Sequence, residues 1–205
     1  AQSSATDVPG SREERVKYVI DDFRGDPGAV VRDLENQFII IATGPQANLH
    51  LTSELPRFNF FDLAAPMFSR PRFLPGPKIN GAQIDHAIVS DGCILNRATI
   101  RSSIVGLRCN VGEGTSLNRA ILLGSDYYES ADSISDHLAK GIPRIGIGAN
   151  TRIENTIVDK HARIGNNVVI SPAGKAENVD HPLYYIRDGI VIIPKNGVIP
   201  DGTVI

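Results

Sequence analysis

The segment INGAQIDHAIVSDGCILNRATIRSSIVGLRCNVGEGTSLNRAIL, residues 79–122, places aliphatic side chains at Ile79, Ile84, Val89, Leu95, Ile100, Val105, Val111, Leu117 and Leu122. They recur every five or six positions and never settle into the period of about 3.6 that marks an amphipathic helix. Two positions before nearly every one stands a small residue: Ala82, Ala87, Cys93, Ala98, Ser103, Cys109, Thr115, Ala120. A glycine or short polar residue often follows, as at Asp85, Ser90, Asn96, Gly106, Gly112 and Asn118. This is a hexapeptide repeat, in which three units make one triangular coil of a parallel β-helix. Ile79, Leu95 and Val111 stand 16 apart, as do Ile84 and Ile100, and Val89 and Val105. Each unit supplies a short strand and a corner, with the aliphatic inside the prism and the small residue where walls converge. Successive coils stack at the strand spacing of about 4.8 Å, each covering the apolar set of the last. Hexapeptide solenoids of this kind are left-handed, against the usual crossover rule, and that hand is expected here.

Working outward, Gly124 to Ile145 breaks the rhythm. A helix is predicted over 131–140, capped by Ser130 and closed by Gly141, with Pro143 beyond it. The coils resume with Ile147, Ile153, Val158, Ile164 and Ile170, whose small partners include Thr151, Thr156 and Ala162. Residues 171–189 form a second excursion, and a last coil is read with Ile192, Val198 and Val204 inward. Such excursions from solenoid corners commonly make binding edges or subunit contacts. Residues 79–205 are thus a β-helix with excursions at 124–146 and 171–189. Residues 47–78 hold Pro45's neighbours Pro56, Pro66, Pro71, Pro75 and Pro77, with Phe58, Phe60, Phe61, Phe68 and Phe73. This composition predicts an extended segment lying along a surface. In the N-terminal segment, residues 1–46, a helix is predicted from Ser11 through Phe23. Residues 29–42 fit a helix, or a helix followed by a strand at Phe38–Ile41.

Composition narrows the function. The 205 residues carry 21% charged and 41% hydrophobic side chains with a net charge of −2, which predicts a globular chain without general affinity for nucleic acid or anionic membrane. No run approaches the roughly 18 apolar residues of a membrane span, and no basic-then-apolar leader marks the chain for secretion. Cys93 and Cys109 stand one coil apart in the small slot. They read as buried thiols; a disulfide between stacked, parallel side chains has poor geometry, and two thiols alone do not make a metal site. His50, His86, His137, His161 and His181 read as solvated or packed residues, and Tyr127 and Tyr128 as packing or interface residues. No catalytic residue is assigned.

Longer words carry a resemblance. Phe73-Leu74-Pro75, Gly124-Ser-Asp-Tyr-Tyr-Glu129, Ile145-Gly-Ile-Gly148 with Asn150-Thr151, Ala162-Arg-Ile-Gly165 and Asp201-Gly-Thr-Val-Ile205 resemble ADP-glucose pyrophosphorylase (glucose-1-phosphate adenylyltransferase), plant and cyanobacterial type. The resemblance covers roughly residues 47–205 and its C-terminal β-helix part; residues 1–46 do not share it. It implies a family reaction, ATP and glucose 1-phosphate to ADP-glucose and pyrophosphate, in glycogen or starch synthesis. That reaction uses a nucleotidyltransferase domain with Mg²⁺ and ATP. No Gly-rich phosphate cradle of that kind is found here, since Gly146 and Gly148 sit within the repeat. The chain alone is therefore expected to be inactive, to need no cofactor itself, and to serve regulation and assembly with other subunits of a tetrameric enzyme. Plastid and bacterial cytoplasm both fit. The resemblance assigns Lys160, Lys195 and Arg72 to a site for anionic effectors, phosphate and 3-phosphoglycerate. Several cationic donors suit a dianion, and arginine binds it bidentately. Arg70 and Asn166 depart from the family pattern. Two rival readings remain: a hexapeptide acyltransferase with His86 or His161 as general base, and a structural module that joins full-length subunits.

Overall fold

In a computed structural model of the protein, residues 30–31, 40–41, 45–54, 56 and 72–205 are described. The chain divides into two units, residues 1–48 and 49–205. In the first, β1 (Val30–Val31) and β2 (Ile40–Ile41) pair antiparallel, Val30 with Ile41 and Val31 with Ile40. Helical spacing over 29–42 therefore gives way at Val30 and Val31, where paired β-branched residues favour extended backbone. A short helix, α1 (Pro45–His50), crosses the division between the units. The extended backbone expected from residue 47 is corrected there, because proline is well suited to a first helical turn. The helix expected from Ser11 and the Phe-rich residues 57–71 lie outside the described residues. Phe73, expected to grip a surface, is 91% exposed.

The second unit is a stack of coils. Its strands are β3 (Lys78–Asn80), β4 (Gln83–Val89), β5 (Ile94–Asn96), β6 (Thr99–Val105), β7 (Asn110–Val111), β8 (Ser116–Leu122), β9 (Gly146–Ile147), β10 (Arg152–Val158), β11 (Arg163–Ile164), β12 (Val169–Ile170), β13 (Val179–Asp180), β14 (Tyr185–Arg187), β15 (Ile190–Ile193) and β16 (Val198–Ile199). One wall runs β3-β5-β7-β9-β11-β16, every pairing parallel. The seven-residue strands β4, β6, β8 and β10 each turn a corner midway. His86, Ser102, Arg119 and Asn155 stand at that corner with φ of 47°, 45°, 53° and 45°. The first half of β10 pairs with β12 and the second half with β15, so each bent strand serves two walls.

Register carries the repeat into three inward columns. The first is Ile79, Leu95, Val111, Ile147, Ile164, Ile199. The second is Ile84, Ile100, Leu117, Ile153, Ile170. The third is Val89, Val105, Leu122, Val158, Ile193. Away from the first coil these side chains are buried. Each contributes about 1.5–3 kcal/mol by leaving water. The small slot is filled by alanines and by residues whose donors find carbonyls: Thr115 Oγ1 donates to Gly148 O at 2.6 Å and Thr151 Oγ1 to Gly165 O at 2.9 Å. Cys93 Sγ donates to Gly106 O at 2.9 Å. Both cysteines are free and buried. The hydrogen bond with Cys93, together with burial, holds the Cys109 thiol above its ordinary pKa. Gly148 is required by stacking, because a Cβ there would meet Gly165 O at 2.3 Å.

The last coil corrects the sequence reading by one residue. Ile193, Ile199 and Ile205 are buried, whereas Val204 is 75% exposed. Both sets are aliphatic at a spacing of six, so that spacing does not choose between them. The residues two before the true set are Val191, Gly197 and Thr203. Gly197 and Thr203 belong to the small side of the repeat and select it.

Between β8 and β9 the chain leaves the coils and forms α2 (Ala131–Ala139), whose N-cap Ser130 accepts from Ser133 N–H. An ion-pair cluster ties this excursion down. Glu129 Oε1 lies 2.6 Å from Arg163 Nη2 and 3.3 Å from His137 Nδ1, and Glu129 Oε2 accepts from Ile145 N at 2.6 Å. Arg163 Nη1 donates to Pro143 O at 2.8 Å. Tyr128 reaches back to donate to Gly92 O at 2.8 Å. The second excursion folds as β13 and β14, antiparallel to each other, and β14 also pairs antiparallel with β15.

Two expectations follow from this packing. Ile199→Ala should destabilise the coils by about 2–5 kcal/mol, and Val198→Ala by under about 1 kcal/mol, read from denaturation midpoints; equal losses would contradict the register. Burial opposes the Glu129 carboxylate, but the Ile145 N–H and Arg163 outweigh it, so its pKa is held below the usual range. Its contribution is complete above the unfolded value of about 4.3 and is lost as pH falls through the lower folded value. NMR resonances of residues 125–145 should hold at pH 5 and shift together below about pH 4, and Glu129→Gln should reproduce the shift at neutral pH.

Candidate functional site

One corner of the stack brings together two of the three charged residues that the sequence assigned, Lys160 and Lys195. The third wall ends there, and backbone rungs link successive coils: Gly92 N to Pro75 O, Arg108 N to Asp91 O, Ser125 N to Leu107 O, His161 N to Gly124 O, and Asn196 N to Lys160 O. Because β10 and β15 pair Val158 with Ile193, Lys160 and Lys195 occupy the same position on adjacent coils. Their backbones are separated by one strand spacing, about 4.8 Å. Lys160 is buried, its side chain 10% exposed, while Lys195 is exposed.

Arg72 stands apart at the level of the backbone. Pro75, three residues on, lies four rungs from Lys160 and five from Lys195. At the strand spacing this is about 20 Å to Lys160. The half-buried Arg72 therefore enters at the opposite end of the corner, near the first coil.

Three further residues join the lysines. Asp126 arrives on the coil below, where the first excursion departs. Its Oδ1 lies 3.7 Å from Lys160 Nζ, and its Oδ2 accepts from His161 Nε2 at 2.9 Å. His161 is buried, with Ser125 Oγ 3.2 Å from Nδ1 and Tyr127 stacked on its ring at 4.9 Å between centroids. Asp159 accepts from Lys160 N–H at 2.6 Å through Oδ1. Burial opposes the Asp126 carboxylate, yet the His161 hydrogen bond and the charges of Lys160 and Lys195 outweigh it, so its pKa is lowered. For Asp159 burial prevails over Lys160 and Lys195 and its pKa is raised. The edge thus holds two ammonium groups, a histidine and two carboxylates, a set suited to exchanging one anion for another.

Asp126, Asp159 and His161 were not assigned to this site from the sequence. The signal was present, since pairing Leu122 with Val158 and Val158 with Ile193 brings 124–126, 159–161 and 194–196 onto three adjacent rungs. The other histidines lie elsewhere: His86 is exposed beside Asp85 at 2.7 Å, His137 meets Glu129, and His181 stacks on Tyr184. Among the described residues no three His, Cys, Asp or Glu side chains converge to hold a metal. Among the same residues, no helix is long and apolar enough to cross a membrane.

Comparison with known proteins agrees with this geometry. Residues 72–204 match the family described as the GLGC left-handed parallel beta-helix domain, which supplies the hand of the coil. The chain is 42% identical over 161 residues to the glucose-1-phosphate adenylyltransferase large subunit 1, chloroplastic/amyloplastic, of Zea mays. That alignment covers 78% of this chain and 31% of the maize protein, so the chain spans about a third of the relative's length. With three inward columns, parallel coils and a family match over most of its length, the chain belongs to the GLGC left-handed parallel β-helix domain family.

Proposed function

We propose that this chain acts as the regulatory and assembly β-helix of an ADP-glucose pyrophosphorylase, with Lys160 and Lys195 forming its part of a site for anionic effectors. The observation that carries the reading is the placement of the two lysines on adjacent rungs of one corner. A phosphate dianion between them meets two cationic donors in a partly desolvated edge, where charge-assisted hydrogen bonds are strong. The backbone rung Asn196 N to Lys160 O fixes the spacing, so the ligand does not have to order two independent loops. Arg72, whose near neighbour Pro75 lies four backbone rungs from Lys160, is left outside this two-lysine site. The catalytic reaction, ADP-glucose formation from ATP and glucose 1-phosphate, belongs to a nucleotidyltransferase domain with its own Mg²⁺. Similarity to a large subunit supports partnership with other pyrophosphorylase subunits, and the relative's chloroplastic/amyloplastic designation supports a plastid over a bacterial cytoplasm.

In a full-length enzyme carrying this β-helix, Lys160→Ala or Lys195→Ala should raise the 3-phosphoglycerate concentration for half-activation about tenfold, the worth of one charge-assisted contact. The melting of the coils should stay unchanged for Lys195→Ala, whose side chain is exposed. Superimposable activation curves would count against the site. A pure sample of residues 1–205 should form no ADP-glucose from ATP, glucose 1-phosphate and Mg²⁺; measurable turnover would overturn the division of labour.

A further inference from the structure

We propose that Asp126 is a built-in competitor for the anion at the Lys160–Lys195 edge, a carboxylate that an incoming phosphate must displace to reach Lys160. The proposal rests on reading that edge as an anion site and specifies how the site is regulated. Lys160 has a side chain only 10% exposed, and the Asp126 carboxylate, 39% exposed, lies on it at 3.7 Å. The second carboxylate oxygen takes the His161 Nε2–H at 2.9 Å. The approach to Lys160 is thus already occupied by an anion from the chain itself, while Lys195, one rung on, remains exposed.

The attachment of Asp126 suits a group that moves as a unit. Ser125 before it is pinned, its N–H on Leu107 O at 2.8 Å and its hydroxyl on Tyr127 O at 2.7 Å. Gly124 has φ of +83°, and a Cβ there would meet Leu107 O at 2.2 Å. Tyr127, on the other side, is held by stacking on His161. Swinging Asp126 outward therefore disturbs Tyr127 and the start of the first excursion, where Glu129 is tied to Arg163 and receives the Ile145 N–H from the far end. A dianion that entered with Asp126 still in place would set its charge beside two carboxylates, Asp126 and Asp159, against two ammonium groups. Ejecting Asp126 removes one of them. Ligand binding at the corner is in this way exchanged for a local rearrangement of the excursion.

Titration calorimetry of the full 205-residue chain with inorganic phosphate, at fixed ionic strength and pH 7.5, tests this. Asp126→Asn keeps an oxygen to accept from His161 and removes the charge. It should bind phosphate about fivefold or more tightly than the parent chain, the effect of deleting one unit charge about 4 Å from Lys160 near the surface. Asp126→Glu, which keeps the charge, should bind like the parent. Adding Lys160→Ala to Asp126→Asn should abolish the gain. Unchanged near-ultraviolet dichroism will show that each variant is folded, and Asp126→Ser replaces Asp126→Asn if that variant is not. Equal or weaker binding by the neutral variant, or a gain that survives Lys160→Ala, would overturn the proposal. Absence of phosphate binding by both parent and neutral variant would also overturn it, and the activation curves of the lysine variants would still decide the underlying reading separately.

Discussion

Parallel, in-register stacking of one coil on the next is the constraint from which everything else here derives. Leu95 lies between Ile79 and Val111, Ile100 between Ile84 and Leu117, and Val105 between Val89 and Leu122. A slip of one residue would turn each inward side chain to the opposite face. The apolar columns fix the register, and the register then places surface residues that share no local sequence. Lys160 and Lys195 are neighbours because Val158 stands on Ile193. Asp126 reaches them because Leu122 stands on Val158. The site is a consequence of the core.

Polar groups inside the prism obey the same rule. Thr115 and Thr151 occupy slots that alanine or cysteine fills in other coils, and each hydroxyl is matched to a carbonyl of a glycine-bearing corner. Such a pairing is needed because a buried hydroxyl without a partner costs about 1–3 kcal/mol. Glycine at 148 in turn lets the corners approach closely enough for the coils to stack. Small side chains, satisfied donors and close backbones are three views of one packing condition.

Most of the architecture could be read from residues 79–122, since a five-or-six-residue beat of aliphatic and small residues has few other physical solutions. The errors arose where two patterns overlapped or where none was present. Ile192-Val198-Val204 and Ile193-Ile199-Ile205 have the same spacing, and the small residues Gly197 and Thr203 decide between them. Val30-Val31 fits a helical stripe, yet two β-branched neighbours pair with Ile40-Ile41 as strands. The lysines of the candidate site were assigned through a family resemblance, and register later explained their proximity. Asp126 and His161 escaped because their meeting follows from the stacking of Leu122 on Val158 across the first excursion, a register relation that the local beat of the repeat does not show by itself.

The first excursion has an implication for how such a protein can diversify. Leu122 pairs with Val158 across the whole of it in the same way that Val105 pairs with Leu122 across a single plain coil. The ladder is indifferent to the length of polypeptide spliced in at that corner, because both ends return to the positions the columns require. Residues 124–145 therefore behave as a cassette, replaceable by shorter or longer inserts while the prism is conserved. Since this cassette delivers Asp126 to Lys160 and His161, exchanging it would retune the chemistry of the corner without altering a single core residue.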